Sequence, residues 1–282
     1  MDLQLTLLVL LAAFMHAVWN TFVKASRDRL VELTLVNVVS AIIAACALPW
    51  VGIPDAASWG YILASIVIHT GYYVFLVNAY RVGDLSHVYP LARGMSPLLV
   101  ALFSGVVAGE VLNGGQLAAI TLISVSVASL ALIGRWQQPE HLKPALFAIG
   151  TGCTIAGYTL VDGTGVRLSG NTLAYIAWLF ALDCLPLLAI TLALRRSAIG
   201  QTLRGQWRTG VLGGMLALSA YGLVIWALSL GAMAPIAALR ETSVIIAALI
   251  GALFLGEPFG RRRVLAATGV AIGVIMLTAT AS

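Results

Sequence analysis

The chain has 282 residues, of which 60% are hydrophobic and only 10% are charged. Soluble domains contain roughly 45–50% apolar and about 25% charged residues, so this composition excludes an ordinary soluble fold. A membrane-spanning helix needs about 20 apolar residues, and the length therefore accommodates about ten crossings. The formal net charge of +5 is dispersed among hydrophobic stretches, which argues against nucleic acid as a partner and for the lipid bilayer.

Ten apolar runs follow one another along the chain and predict ten transmembrane helices. Each run is continuously apolar and lacks the alternating pattern of an outer-membrane barrel strand. Gly, Pro, Asn and charged residues separate the runs. The predicted helices are 3–23, 30–52, 59–80, 85–108, 116–134, 145–162, 171–194, 209–230, 233–256 and 263–281. The pattern therefore predicts an all-α integral membrane protein.

Basic residues are concentrated in alternate connections between these helices. The other connections contain only Arg167. The positive-inside rule assigns the basic side to the cytoplasm, which predicts a protein of the cell inner membrane with both termini in the periplasm. The residues of the basic side are Lys24, Arg27, Arg29, Arg81, Arg135, Lys143, Arg195, Arg196, Arg204, Arg208, Arg261, Arg262 and Arg263.

The two halves of the chain resemble each other when one is shifted by 147 residues along the sequence. The aligned pairs are Arg93 with Arg240, Ser96 with Ser243, and Gly109-Glu110 with Gly256-Glu257. The predicted domains are residues 1–138 and 139–282, each with five helices. Because five is an odd number, the second domain is predicted to be inverted relative to the first. Inverted repeats are typical of secondary transporters, which bind substrate near the membrane midplane between the halves.

Three stretches resemble a known family. They are His16-Ala-Val-Trp-Asn20, Val88-Tyr-Pro-Leu-Ala-Arg93-Gly94 and Ala238-Leu-Arg-Glu-Thr-Ser-Val244. With the paired Gly-Glu helix ends, they are similar to the drug/metabolite transporter (DMT) superfamily, in its EamA-type branch. The resemblance implies ten helices around a central cavity, and its members are mostly exporters of amino acids, metabolites or toxic compounds. Many members have their basic loops in the opposite phase, so the orientation is not transferred.

Polar residues recur on one face of the first and third predicted helices. His16, Asn20 and Lys24 follow each other at steps of four, which return to nearly the same helix face. Lys24 lies at the helix end and is expected to extend toward water. His16 and Asn20 lie deeper, where they either line a cavity or hydrogen-bond to another helix. His69 and Tyr73 form a similar stripe in the third helix.

Aromatic residues away from the helix ends are further candidates for the binding site. Tyr158 shares a stripe with Thr154 and Asp162 in the sixth predicted helix, and Trp19 aligns approximately with Tyr158 in the other repeat. Trp178 and Tyr221 belong to the seventh and eighth helices. Trp19, Tyr158, Trp178 and Tyr221 are therefore predicted to contact substrate.

Arg93, Arg240 and Glu241 are the most informative polar group. Arginine stays protonated at any accessible pH, so a deeply buried arginine needs an anionic partner or a ring of carbonyls. One interpretation is a permanent internal ion pair between an arginine and Glu241 or Asp183. The alternative is that at least one arginine binds an anionic group of the substrate, with Glu241 receiving its amine or a proton.

Prolines lie close to both arginines, at Pro90, Pro97 and Pro235. A proline frees a backbone carbonyl and bends its helix, which suits a discontinuous helix at a binding site. The sequence therefore predicts interruptions near both arginines.

Two further carboxylates close the fourth and ninth predicted helices, at Glu110 and Glu257. Carboxylates at such positions cap the N-terminus of another helix or pair with loop arginines such as Arg261. Both are predicted to be structural.

The sequence contains no nucleotide-binding loop, so transport is expected to depend on an ion gradient or on exchange. The groups within the spans that can change protonation are His16, His69, Asp162, Asp183 and Glu241. Histidine titrates near neutral pH when unperturbed, and Asp183 has no charged neighbour in sequence. His16, His69 and Asp183 are therefore the predicted proton-coupling residues.

These features predict a secondary transporter that moves a small polar or zwitterionic metabolite, amino-acid-like in character, exported by proton coupling or exchange. Charges of both signs favour a zwitterion over a purely lipophilic cation. A multidrug or cation exporter and an organic-anion importer of the same fold are alternatives, as are a membrane-embedded enzyme and an accessory subunit.

Cys46, Cys153 and Cys184 lack the paired spacing of a zinc site or a disulfide framework. No metal or cofactor is expected, and the protein is expected to act as a monomer or homodimer.

Overall fold

The computed structural model describes residues 2–26, 28–82, 85–132, 142–254 and 260–280. Within these residues the chain forms helices and no strands. In this described part of the chain, nine helices are long and apolar enough to cross a membrane, and a tenth, Gly114–Ser129, is apolar but shorter. The helices are α1 Leu3–Ala25, α2 Arg29–Val51, α3 Trp59–Val82, α4 Leu85–Ala108, α5 Gly114–Ser129, α6 Leu142–Arg167, α7 Thr172–Gly200, α8 Gly205–Leu230, α9 Met233–Phe254 and α10 Arg261–Ala279. The prediction of an all-α membrane protein is confirmed.

Helices α7 and α8 form one helical stretch, Thr172–Leu230, that reverses direction in its middle. The backbone leaves helical geometry at Arg195 (φ −138°, ψ 22°) and at Gln206 (φ −131°, ψ 15°). Asn171, just before α7, donates to the carbonyl of Val51 at the end of α2. Gln206 accepts a hydrogen bond from Ser26, at the opposite end of the bundle. The stretch therefore supplies two antiparallel spans.

Helix α9 is broken, whereas α4 is continuous. The two halves of α9 are Met233–Arg240 and Thr242–Phe254, and Glu241 (φ −70°, ψ −13°) stands between them. Every residue of the first half is buried. Helix α4 contains Pro90 and Pro97 without interruption. The predicted discontinuity is thus found beside Arg240 only.

The ends of the helices lie on two opposite faces of the bundle, and contacts between them show which ends share a face. Arg167, at the end of α6, donates to the carbonyl of Gly231 and to Glu110 at 2.8 Å. Asn113, before α5, donates to the carbonyl of Thr280 at the end of α10. Because Leu5, near the start of α1, packs beside Gly231, α1 begins and α6 and α10 end on this face. The two sets of five helices therefore run in opposite directions, and the predicted boundary between residues 138 and 139 lies outside the described residues.

Glu110 has the structural role that its position predicts. Both of its carboxylate oxygens accept hydrogen bonds from the backbone nitrogen of Met233, at 3.0 and 2.9 Å, so it caps the N-terminus of α9. A carboxylate there interacts favourably with the positive end of the helix dipole. Its arginine partner is Arg167, not Arg261. Glu257 lies outside the described residues.

Gly94 of α4 lies against α5, and the α5 backbone leaves no space for a side chain at this position. A methyl group at this position would lie 2.7 Å from the Ala128 backbone nitrogen and 2.8 Å from the Ser124 carbonyl oxygen. Both atoms belong to helical backbone and cannot rotate away. The absence of a side chain therefore allows α4 and α5 to pack closely beside Arg93.

We expect Gly94→Ala to destabilise the protein by about 1–3 kcal/mol, the usual penalty for overpacking a core. Gly222→Ala is the matched control, because a methyl group there would meet only Ile176, at an ordinary 3.5 Å. Equilibrium unfolding of both variants in mixed micelles measures the difference. Equal stability of the two variants would contradict the close approach of α4 to α5.

Candidate functional site

A cavity of about 80 Å³ lies between the helices near the middle of the bundle. Helices α1, α2, α3, α6, α7, α8 and α9 all contribute to its wall. Eight of the predicted residues line it, and the structure thus brings most of the candidate site together. They are His16, Trp19, His69, Tyr73, Tyr158, Asp183, Tyr221 and Arg240.

Stacked and edge-on rings form one side of the cavity. The His69 ring stacks on Tyr158 with centroids 4.2 Å apart and an interplanar angle of 13°. Tyr221 meets both rings edge-on, with centroid distances of 5.6 Å. Tyr72 lies edge-on to Tyr158 at 6.0 Å. Such arrangements contribute beyond the apolar area that they bury, so these rings stabilise one another as one aromatic wall.

Arg240 presents a positive charge to this wall. Its Nη2 donates to the Tyr158 hydroxyl at 3.0 Å, and its guanidinium carbon lies 5.5 Å and 5.9 Å from the ring centroids of Tyr158 and Tyr221. Its Nε has no hydrogen-bond partner in the part of the chain that the structure describes. Among the described residues no carboxylate forms an ion pair with it. A guanidinium that is only 3% exposed therefore has donor capacity left for an anion.

Arg93, the repeat equivalent of Arg240, is neutralised within the protein. Its Nε lies 2.7 Å from Oε2 of Glu241. Its Nη2 donates to the Ser243 hydroxyl at 2.8 Å and to the Arg240 carbonyl at 3.4 Å. The break in α9 frees this carbonyl from the helical hydrogen-bond pattern. Neither Arg93 nor Glu241 lines the cavity. The internal ion pair thus exists for one arginine, and the other faces the cavity.

A second polar group of the wall contains Asp183. The Tyr73 hydroxyl donates to Oδ1 of Asn37 at 2.9 Å and approaches Oδ2 of Asp183 at 3.3 Å. Oδ1 of Asp183 is buried and, within the described ranges, has no hydrogen-bond partner. This carboxyl group therefore has an acceptor available to a ligand donor.

Two further predicted residues, besides Arg93 and Glu241, lie away from the wall. The Asn20 side chain donates to the backbone carbonyl of His16 at 2.8 Å, so it closes onto its own helix. Nε1 of Trp178 donates to the Gly52 carbonyl at 3.0 Å, and its ring meets Trp59 edge-on at 5.1 Å. Trp178 therefore connects α7 to the end of α2.

Sequence reasoning missed two polar wall residues of α2, Asn37 and Ser40. Asn37 accepts from Tyr73, and the Ser40 hydroxyl donates to the Gly214 carbonyl of α8 at 2.9 Å. An asparagine within an otherwise apolar run was the available signal.

Among the described residues, no three His, Cys, Asp or Glu side chains cluster closely enough to hold a metal ion.

Comparisons with known proteins agree with this architecture. The model of the EamA-like transporter family matches residues 4–132 and 142–279. No curated protein sequence matches the chain. A solved structure described as "Crystal structure of protein" superposes with a TM-score of 0.77 at 16% identity, covering 99% of this chain and 96% of its own. At that identity the likeness shows the fold alone. The family match over nearly the whole chain, on ten helices around a central cavity, means that the protein belongs to the EamA-like transporter family and is a multi-pass membrane transporter of the DMT type.

Proposed function

We propose that this protein is a secondary active transporter of the cell inner membrane that exports a compact zwitterionic, amino-acid-like metabolite by proton coupling or exchange. The observation that carries the proposal is the difference between the two repeat-related arginines. Arg93 has an internal counter-ion at 2.7 Å, whereas Arg240 faces the cavity and has no ion-pair partner among the described residues. A planar guanidinium with free donors suits a carboxylate, which it binds through two parallel hydrogen bonds.

The Asp183 region supports recognition of an ammonium group. The free Oδ1 of Asp183 and the aromatic faces of the wall are both suited to a cation. Arg240 and Asp183 together give the cavity charges of opposite sign, as a zwitterion requires. In this proposal Asp183 takes the amine-binding role that the sequence suggested for Glu241, because Glu241 pairs with Arg93.

The size of the cavity supports a small substrate. Its volume of about 80 Å³ is well below the roughly 300–1,000 Å³ of pockets for drug-sized ligands. A bulky multidrug substrate would need a considerably wider site. We propose that the transport unit is a monomer or a homodimer.

Proton coupling is supported by the titratable residues of the wall. His16, His69 and Asp183 all line the cavity, where a substrate and a proton can influence each other's binding. The His16 ring lies edge-on to Trp19 at 5.1 Å. We propose these residues as the contacts between the substrate site and the coupling proton.

The proposal is tested with purified protein in liposomes, under an imposed pH gradient and with no added nucleotide. Radiolabelled amino acids, organic anions and cationic drugs form the panel. We expect saturable, gradient-dependent movement of at least one zwitterionic amino acid. Movement of cationic drugs alone would favour the cation exporter, which Asp183 and the aromatic wall could also serve. Movement of none of these compounds would favour the enzyme or accessory roles.

We expect both termini to lie in the periplasm. A reporter fused after Ser282 should be active only if it is periplasmic. A cysteine at Arg196, in a variant without Cys46, Cys153 and Cys184, should resist an impermeant reagent added to intact cells, because the basic loops face the cytoplasm. Labelling after permeabilisation is the control. A cytoplasmic C-terminus would contradict the orientation and leave the substrate proposal unaffected.

A further inference from the structure

Asp162 of α6 is a fully buried carboxyl group immediately behind the cavity wall. It has no exposed surface and does not line the cavity. Its Oδ1 accepts from the Tyr175 hydroxyl at 3.0 Å, and its Oδ2 accepts a short hydrogen bond from the Tyr221 hydroxyl. No basic side chain pairs with it among the described residues. A buried carboxyl group held by hydroxyls alone can exist in both protonation states, because each hydroxyl can donate or accept.

A chain of polar groups connects the cavity to Asp162. The His69 ring lines the cavity, and its Nδ1 lies 3.1 Å from the Ser65 hydroxyl. The Ser65 hydroxyl also lies near the Asp162 carboxyl group, with which it interacts. When the Ser65 hydroxyl turns toward Asp162, a protonated His69 can pass its Nδ1 proton to the Ser65 oxygen while Ser65 passes its own hydroxyl proton to Asp162. The transfer leaves His69 neutral, Ser65 restored and Asp162 protonated.

Tyr221 connects the state of Asp162 to the substrate site. Its ring lines the cavity beside Arg240 and Tyr158, but its single hydroxyl hydrogen is directed to Asp162. Ionised Asp162 requires this donor. Protonated Asp162 carries a hydrogen of its own, which it can donate to the Tyr221 oxygen, and the phenolic hydrogen is then free to turn toward the cavity. The donors that the wall offers thus depend on the proton at Asp162.

Titratable and charged groups surround Asp162 from several helices. Helix α3 contributes His69, α7 contributes two residues, α8 contributes Tyr221 and α9 contributes Arg240. The α7 residues are Tyr175, in direct contact, and Asp183, which interacts electrostatically with Asp162. Arg240 also interacts with it through space. A proton at Asp162 therefore changes the field at both charged groups of the proposed substrate site.

We infer that Asp162 is a proton-binding site, entered from the cavity through His69 and Ser65, whose protonation state Tyr221 transmits to the substrate cavity. Its part in coupling rests on the proposed transport function, whereas its binding of a proton does not. The assignment adds a group behind the wall to the three wall residues proposed above. It also identifies His69 as the residue through which the proton enters from the cavity.

Infrared difference spectroscopy tests the assignment without any substrate. Purified protein in lipid nanodiscs is compared between about pH 8 and about pH 5, the range in which physiological proton switches operate. The wild-type spectrum should gain the carbonyl band of a buried protonated carboxyl group. We expect Asp162→Asn to lose this band and Tyr221→Phe to keep it at a shifted frequency, because a hydrogen bond to the carboxyl group is removed. Asp183→Asn is the matched control and should retain the Asp162 band.

Retention of every carboxyl band in Asp162→Asn would overturn the proton site. An unshifted band in Tyr221→Phe would overturn transmission by Tyr221, and this test remains available if Asp162→Asn does not fold. After rapid acidification, Ser65→Ala should slow the rise of the band several-fold, and an unchanged rate would overturn entry through Ser65. A liposome panel without transport would reject the proposed function and leave these spectra unaffected.

Discussion

Replacing Arg240 by lysine is expected to lower the specific transport of an amino acid by about tenfold or more. A charge-assisted hydrogen bond contributes roughly 1.5–3 kcal/mol, and about 1.4 kcal/mol corresponds to a factor of ten. Lysine keeps the positive charge but loses the planar pair of donors that fits a carboxylate. It also loses the hydrogen bond from Nη2 to Tyr158 in its present geometry. Initial rates in liposomes, normalised to the amount of monodisperse protein, measure the effect.

Arg93→Lys is the matched control, since Arg93 is the repeat equivalent of Arg240 and equally buried. Arg93 contacts Glu241, Ser243 and the Arg240 carbonyl but not the cavity. Its replacement should therefore lower thermal stability more than specific transport, which is the reverse of the effect at Arg240. Normal transport by Arg240→Lys would remove Arg240 from substrate binding. Equal transport losses in both variants would indicate that the arginines act only through structure.

The helices were largely predictable because a membrane span is defined by length and apolarity. The predicted run 85–108 coincides with α4, Leu85–Ala108. The sixth helix was predicted to end at 162 but continues to Arg167. Asp162 is satisfied by two tyrosine hydroxyls and Arg167 by two carbonyls and Glu110. Tertiary partners that are remote in sequence made these residues compatible with the helix.

The break in α9 illustrates what local rules leave open. Proline chemistry predicted interruptions in both α4 and α9, but α4 accommodates two prolines without one. The α9 break is at Glu241, where Arg93 of α4 binds both the Glu241 carboxylate and the freed Arg240 carbonyl. A cation from another helix thus stabilises the interruption. This contact joins residues 147 positions apart, which no local pattern specifies.

The spacing of the polar residues predicted which residues share a helix face, but it did not predict what each side chain on that face contacts. His16 and Asn20 share a stripe, yet His16 lines the cavity and Asn20 bonds back to the His16 carbonyl. The sequence left open which arginine has an internal counter-ion, because Arg93 and Arg240 have equivalent positions in the repeat. The carboxylate resolves the ambiguity, since Glu241 has no counterpart in the first repeat, where Gly94 occupies the equivalent position.

The Arg93–Glu241 ion pair should show strong energetic coupling in a double-mutant cycle. Arg93→Met or Glu241→Leu alone leaves one charge buried without its partner, which typically costs about 3–5 kcal/mol. The double variant removes both charges and should recover much of this loss, because an apolar pair of similar volume avoids the desolvation penalty. Equilibrium unfolding in mixed micelles gives the three free energies. Additive losses would show that the two side chains do not stabilise each other.

The exposed pair Arg195–Asp28 provides the control for this cycle. Its side chains are 56% and 27% exposed and 3.3 Å apart, and exposed pairs typically contribute about 0.2–1 kcal/mol. Arg195→Ala should therefore change stability little. A large loss in each Arg93–Glu241 single variant, recovery in the double variant and a small effect at Arg195 would together locate the buried counter-ion at Arg93. Arg240 would then be the arginine left to bind substrate, because the single carboxylate at the α9 break is already engaged.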